Sequence, residues 1–330
     1  MAGLVNIELT TDRPLSDNLN DLREVKERFP DRAVIASLMA EIKKEVWQEL
    51  AIKVEGTGVD GLELNISCPH GKKEMVLGKK NDRPSDVFAT VTGWVRAVTK
   101  IPLIIKLSGN LADITESGQA VKQAGADGIA ATNTIRSLAG IDLDTLIPRP
   151  TVAGQSAMGG YSGFAIKPIA LRCITELALD KTIELPLSGI GGITTWQDAA
   201  EFILIGATSV QLSTAVMKEG YRIVEDLIDG LSNWMDEKGF KRIEDMVGRS
   251  LPYLTAVDSL SQEYRVVAKI NQQVCEKCDL CYIACQDGGH QTISLDSNRL
   301  PVVDEDKCMG CGLCSLICPV IDCITMKEVE

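Results

Sequence analysis

Near the carboxyl end of the chain, CEKCDLCYIAC and CMGCGLCSLICP repeat one spacing, C-x2-C-x2-C-x3-C. The first run supplies Cys275, Cys278, Cys281 and Cys285; the second supplies Cys308, Cys311, Cys314 and Cys318, with Pro319 following. Three thiolates on one tight loop can occupy three corners of a cubane, and the fourth corner must come from elsewhere. In this spacing the fourth cysteine of each run ligates the other cluster. The expected sets are therefore Cys275, Cys278, Cys281 and Cys318 for one cluster, and Cys308, Cys311, Cys314 and Cys285 for the other. Zinc usually takes its four ligands as two pairs, and disulfides do not persist in a reducing cytosol, so neither suits the pattern as well. Two 4Fe-4S clusters carry single electrons, and they need a donor and an acceptor. Gly310 and Gly312 let the backbone turn closely around the sulfurs, and Cys323 fits neither run and reads as packing.

Far from these runs, ELNISCPHG places Cys68 at the end of a strand-like segment, between Asn65, Ser67 and His70. A lone cysteine at a strand end is more often a small buried hydrophobe than a catalyst. Its polar neighbours make packing and acid catalysis comparable readings on the residues alone.

The elements that must position these groups alternate from about Ala33 to Met217. Short near-continuous apolar runs, AVIASLM, GLELNIS, PLIIKLS, GIAATNT, LPLSGIGGI and SVQLSTA, suit parallel strands covered on both faces. Between them lie helical segments such as DVFATVTGWVRAV, in which Val87, Val91, Trp94, Val95 and Val98 recur at helical spacing. Strand, helix, strand repeats imply right-handed βαβ units in a parallel sheet. Polar and glycine residues cluster just after the strands, which is where a parallel barrel carries its chemistry. A doubly wound sheet competes, but no glycine fingerprint follows a first strand. The expected fold is therefore α/β, a (β/α)8 TIM-barrel type with about two N-terminal βα units missing, since six units are visible. A ferredoxin-like domain with two 4Fe-4S clusters follows it. The expected domains are 1–240 for the barrel, 241–265 for a linker and 266–330 for the cluster domain.

At 330 residues, 45% hydrophobic and 24% charged, the chain has the composition of a globular protein with a full-sized core. Its net charge of -12 argues against a nucleic-acid or anionic membrane surface as partner. No apolar run approaches the ~20 residues of a membrane helix. MAGLVNIELTTDRP shows no basic region leading an apolar stretch, so a cytoplasmic location is expected. Nine of the eleven cysteines fall within the last 56 residues, and that asymmetry separates the two domains.

NISCPHG, together with NIEL near the start, KLS at Lys106, ATNT at Thr132 and SGIGGITTWQDAAEF, resembles the pyrimidine-reducing part of the dihydropyrimidine dehydrogenases. The likeness is to the bacterial NAD-dependent catalytic subunit, and dihydroorotate dehydrogenases are more distant relatives. The likeness runs from about Asn6 to Met326 and includes DGGHQ between the cluster runs. It implies FMN at the barrel mouth and Cys68 as the general acid that protonates the pyrimidine. Asn6, Glu8, Asn65, Asn133 and Thr134 would hold the substrate. Lys106 and Thr132 would lie at the flavin ring, with Gly160, Gly163, Gly191, Gly192, Ser213 and Thr214 around the phosphate.

The implied reaction reduces uracil or thymine to the 5,6-dihydropyrimidine. Electrons from NAD(P)H would arrive through an FAD- and NAD(P)H-binding partner subunit and the two clusters, in an oligomeric assembly. No nicotinamide or FAD fingerprint occurs in the chain itself. Two other functions remain open: an electron-transfer module without catalysis, because a six-unit barrel is open, and a dihydroorotate dehydrogenase-like flavin oxidoreductase. The chain departs from the family before NIEL, where relatives have about two further βα units. It departs again at GKKEMVLGKKNDRP, where four lysines replace a glycine-rich lid.

Overall fold

The computed structural model describes residues 3–7, 13–66, 83–261, 263–288 and 290–329. Its chain divides into two compact units, Met1–Leu254 and Thr255–Glu330. The division falls inside the 241–265 stretch.

Six strands of the first unit form one sheet. They are β2 (Ile35–Leu38), β3 (Gly61–Asn65), β4 (Leu103–Ser108), β5 (Gly128–Asn133), β10 (Leu187–Ile190) and β11 (Ser209–Gln211). They pair in parallel in the order β11-β10-β5-β4-β3-β2. Helices α2 (Lys44–Glu55), α3 (Pro84–Arg96), α4 (Ile114–Gln123), α5 (Lys167–Leu179) and α6 (Trp196–Leu204) alternate with them. Leu62, Leu64, Leu103, Ile105, Leu107 and Ile129 are fully buried, and helix residues such as Trp47, Val91, Val95, Ile174 and Phe202 pack into the same core. Each such side chain removed from water stabilises the fold by about 1.5–3 kcal/mol.

The sheet curls. Gln211 on β11 and Glu63 on β3 are separated by three intervening strands, yet their side chains meet at 2.8 Å. That contact crosses the concave side of the sheet and makes the unit an α/β half-barrel. Among the described residues, β2 and β11 stand at its two ends. Between Leu107 and Ser108 the β4–β5 register shifts, so that Ser108 pairs with Asn133. The shift falls at the carboxyl ends of the strands, where a bulge redirects the side chains that follow.

The strand that leads into NIEL differs from a barrel strand. Strand β1 (Leu4–Asn6) pairs antiparallel with β9 (Gly159–Ser162), which also pairs antiparallel with β6 (Ile135–Ser137). A short hairpin, β7 (Gly140–Ile141) and β8 (Pro148–Arg149), lies between β6 and β9. Helix α1 (Leu15–Arg28) precedes β2, while α7 (Thr214–Glu219) and α8 (Ile223–Lys238) follow β11. Met246 packs against Ala200 and Ile203 of α6, and the Ser250 N–H donates to the Leu204 carbonyl. This segment therefore belongs to the first unit.

In the second unit β12 (Val266–Ile270) pairs antiparallel with β15 (Ile324–Glu328), and β13 (Ile293–Leu295) with β14 (Pro301–Val303). Helices α9 (Leu280–Asp287) and α10 (Leu313–Leu316) each carry cysteines. The core is small: Ala268, Ile293 and Ile324 pack with the sulfurs of Cys281, Cys314 and Cys323. A core this poor in apolar groups needs metal to hold it together. Among the described residues, no helix is long and apolar enough to cross a membrane.

Candidate functional site

The half-barrel opens into a cavity of about 370 Å³ at the carboxyl ends of β4, β5, β10 and β11. Lys106, Thr132, Asn133 and Thr134 line one side of it; Gly191, Gly192, Ser213 and Thr214 line another. Asn6 of β1 and Gly163, which follows β9, complete the wall. Asn65 does not line the cavity itself, but its Oδ1 accepts a hydrogen bond of 2.7 Å from Asn133 Nδ2. The Asn133 Oδ1 in turn accepts from the Thr134 N–H at 2.8 Å. Gly160 lies in β9, opposite Asn6 on one side and Arg136 on the other, and is not among the lining residues. Cys68 and Glu8 lie outside the described residues.

Lys106 has protein partners already. Its Nζ donates to Glu63 Oε1 at 2.9 Å and to Gln211 Oε1 at 3.2 Å. The Gln211 Nε2 closes the ring by donating to Glu63 Oε2 at 2.8 Å and also reaches Ser188 Oγ at 3.2 Å. A buried charge is tolerated only when paired and hydrogen-bonded, and this ring satisfies that condition with side chains from β3, β4 and β11.

The cavity residues fit a flavin mononucleotide. Gly191 and Gly192 have φ of 131° and 80°, a backbone region that side-chain-bearing residues rarely adopt. A Cβ at Gly192 would stand 2.9 Å from the Lys167 backbone nitrogen, so this turn closes against the start of α5 with no room for a side chain. Loops after the last strands of a parallel barrel are the usual seat of a phosphate. Thr134 Oγ1 is buried and has no hydrogen-bond partner among the described residues. Such an atom is what an occupant of the cavity has to satisfy.

The cysteines of the second unit gather in two places. Cys275, Cys278, Cys281 and Cys318 line one cavity, with Cys323 beside them. Cys285, Cys308, Cys311 and Cys314 line the other, with His290 and Thr292. Among the described residues no three such side chains converge tightly enough to grip one metal ion. Each quartet instead surrounds a gap, which suits a cluster. Both runs turn through the left-handed region at the positions flanking their second cysteine, Lys277 and Asp279 in one, Gly310 and Gly312 in the other. Burial pushes the Cys281 thiol up to about 11, so iron must displace a tightly held proton there. Burial also pushes Cys285 up, but hydrogen bonds from the Thr292 hydroxyl and N–H outweigh it and leave that thiol below its ordinary value.

A sequence profile described as dihydroorotate dehydrogenase matches residues 13–235, and one described as a 4Fe-4S dicluster domain matches residues 268–326. The chain belongs to the dihydroorotate dehydrogenase family. It is 41% identical over 330 residues to the NAD-dependent dihydropyrimidine dehydrogenase subunit PreA of Escherichia coli (strain K12), covering 99% of this chain and 80% of that protein. The chloroplastic dihydropyrimidine dehydrogenase (NADP(+)) of Arabidopsis thaliana is 42% identical over 279 residues, 83% of this chain and 65% of the relative. The catalytic subunit of dihydroorotate dehydrogenase B (NAD(+)) from Pyrococcus abyssi is 40% identical over 234 residues, covering 71% of this chain and 73% of that protein.

This dehydrogenase is thus an oxidoreductase whose cofactors are FMN and iron-sulfur clusters. Sequence reasoning passed over three of its polar groups. Glu63 sits in GLELN and Gln211 in SVQLS, both otherwise apolar strand runs, and a charged or amide residue inside such a run was the available signal. Asp198 caps α6 and holds Lys167 at 2.6 Å; only the T-T-W-Q-D pattern of a capping box hinted at it.

Proposed function

We propose that this chain is the catalytic subunit of a dihydropyrimidine dehydrogenase, reducing uracil or thymine to the 5,6-dihydropyrimidine. Electrons from NAD(P)H are handed over by an FAD-containing partner subunit and enter through the two clusters of the second unit. The observation that carries this reading is Asn133, held by Asn65 at 2.7 Å, at the mouth that also holds Lys106 and the Gly191–Gly192 turn. An amide offers both a donor and an acceptor, the combination a pyrimidine edge requires. The fuller likeness to PreA than to the dihydroorotate enzyme, 99% against 71% of the chain, supports the same choice. The assembly is oligomeric and cytoplasmic, where thiols stay reduced for cluster ligation.

FMN bound in the cavity supplies a hydride to C6 of the base. The chain's residues do the rest. Asn6, Glu8, Asn65, Asn133 and Thr134 orient the pyrimidine so that its C5 faces Cys68. A thiol of ordinary pKa near ~8.5 is mostly protonated at neutral pH, so Cys68 gives its proton to the carbanion developing at C5 and regains one from water. Lys106 and Thr132 hold the flavin ring. Gly163, Gly191, Gly192, Ser213 and Thr214 would embrace the phosphate, where Thr214 Oγ1 already donates to Ser162 Oγ at 2.9 Å. One cluster takes Cys275, Cys278, Cys281 and Cys318; the other takes Cys285, Cys308, Cys311 and Cys314.

The test is side-by-side turnover of uracil, thymine and orotate by the chain purified with its partner, together with the Cys68→Ala variant. The variant should keep FMN and its reduction while dihydropyrimidine formation stops. Normal turnover by the variant removes Cys68 from the mechanism, and faster orotate chemistry removes the substrate assignment. Intact cluster absorbance with no released flavin would leave only an electron-transfer module.

A further inference from the structure

We infer that Glu63 is a positioning residue, whose buried carboxylate fixes and neutralises the Lys106 ammonium at the floor of the flavin site and thereby holds the flavin's reduction potential down. The inference rests on the FMN reading above and adds to it a group that does not line the cavity.

Glu63 is 5% exposed, on β3. Lys106 and Gln211 reach the cavity wall, and Glu63 lies behind them. Both of its oxygens are engaged, Oε1 by Lys106 Nζ at 2.9 Å and Oε2 by Gln211 Nε2 at 2.8 Å. Gln211 holds both charged partners at once, because its Oε1 accepts from Lys106 Nζ at 3.2 Å. Its own place is set by Ser188 Oγ at 3.2 Å, which accepts in turn from Ser209 Oγ at 3.0 Å. Glu63 and Gln211, on strands of one paired sheet, therefore direct the ammonium.

A lysine used only to attract an anion would be better alone. Here the cation is compensated before any ligand arrives, so the net charge that the ring presents to the flavin is close to zero. A flavin gains negative charge on reduction, and a cation below it favours the reduced form over the oxidised one. A neighbouring carboxylate offsets that preference, and does so strongly because both groups are shielded from water. Removing the carboxylate charge while keeping its shape takes one negative charge from beside Lys106. The negative charge of the reduced flavin is then favoured more strongly, and the potential rises.

The experiment compares wild type with Glu63→Gln as holoenzyme carrying FMN and both clusters. FMN content, flavin midpoint potential by spectroelectrochemical titration, and thermal midpoint are measured on the same preparations, with the cluster potentials as internal reference. At a fixed solution potential the reduced-to-oxidised flavin ratio should rise about tenfold in Glu63→Gln, a shift of about +30 mV for a two-electron couple. An unmoved or lowered flavin potential overturns the proposal, whatever happens to the thermal midpoint, since a purely structural carboxylate would change only the latter. Should Glu63→Gln fail to fold or lose FMN, Glu63→Asp is read instead. Its charge is kept but withdrawn by one methylene from Lys106, and the potential should move the same way by a smaller amount; no movement overturns the proposal. Absence of FMN from wild type would instead defeat the flavin reading itself.

Discussion

Lys167 Nζ lies 2.6 Å from Asp198 Oδ1, joining the first residue of α5 to the third residue of α6 beside the Gly191–Gly192 turn. The other Asp198 oxygen accepts from the N–H groups of Thr194 and Thr195, each at 2.9 Å, and from the Thr194 hydroxyl at 3.0 Å. One carboxylate thus caps a helix and clamps the loop that would carry the flavin phosphate. Its side chain is 5% exposed and that of Lys167 is 16% exposed, and Lys167 also reaches Glu201 Oε2 at 2.8 Å, so losing Asp198 weakens the loop clamp while leaving the ammonium one carboxylate. Asp198→Asn should cost about 1.5–3 kcal/mol and lower the thermal midpoint of the first unit by about 3–12 °C. FMN retention on gel filtration should fall with it.

The same pair sets an acid limit. Burial by itself would raise the Asp198 carboxyl, but the hydrogen bonds from Lys167 and Thr194 outweigh it and hold the group below its ordinary value of 3.8. A carboxylate depressed in the folded state contributes stability that is fully present above the unfolded value and is lost as pH falls through the folded one. Lys167 is shifted upward: burial opposes its charge, and Asp198 and Glu201 outweigh burial, so the ammonium persists throughout that window. Denaturant titrations carried from about pH 5 down to about pH 2 should show wild type losing stability toward acid, the loss setting in below the unfolded value. The Asp198→Asn variant should lose less.

Gly192→Ala should damage the phosphate turn. At φ 80° a Cβ is strained in itself, and here it would stand 2.7 Å from the Lys167 Cβ and 2.9 Å from the Lys167 nitrogen. The backbone atom cannot swing aside as a side-chain tip would. A destabilisation of about 1–3 kcal/mol and weaker FMN binding are expected, read by chemical denaturation and by flavin fluorescence titration. Gly93, whose added Cβ meets nothing within 4 Å, is the matching control.

Thr292 distinguishes the two cluster environments. Its N–H donates to Cys285 Sγ at 3.2 Å and its hydroxyl lies 3.4 Å from the same sulfur. Cys318, the equivalent cysteine of the other run, lies instead 3.5 Å from the Val320 carbonyl. Donors to a ligating sulfur raise a cluster's potential. Thr292→Val removes the hydroxyl alone, so one of the two reduction waves should move to lower potential while the other stays. Electron paramagnetic resonance during redox titration reads both.

The gathering of the cysteines into two groups was legible because spacing along a loop is itself local geometry. Three cysteines two residues apart must face one centre, and the repeat of the run shows where the fourth comes from. The parallel strands were legible too, since burial on both faces writes itself as an unbroken apolar run such as PLIIKLS. Helix α3 followed from the spacing of Val87, Val91 and Val95 in the same way.

Other relationships required the folded chain. Nothing in NIEL says that β1 turns away from the parallel sheet to pair with β9, because a three-residue strand has no periodicity to read. Gly160 and Gly163 look alike in GGYSG, yet one is held in a strand and the other lines the cavity. Glu63 and Gln211 are 148 residues apart, and only the curl of the sheet brings them together around Lys106. Residue type and local spacing decided which chemistry the chain can hold. Which charge faces which was settled by strand order and curvature, since an electrostatic contact depends on distance through space and a linear pattern records distance along the chain alone.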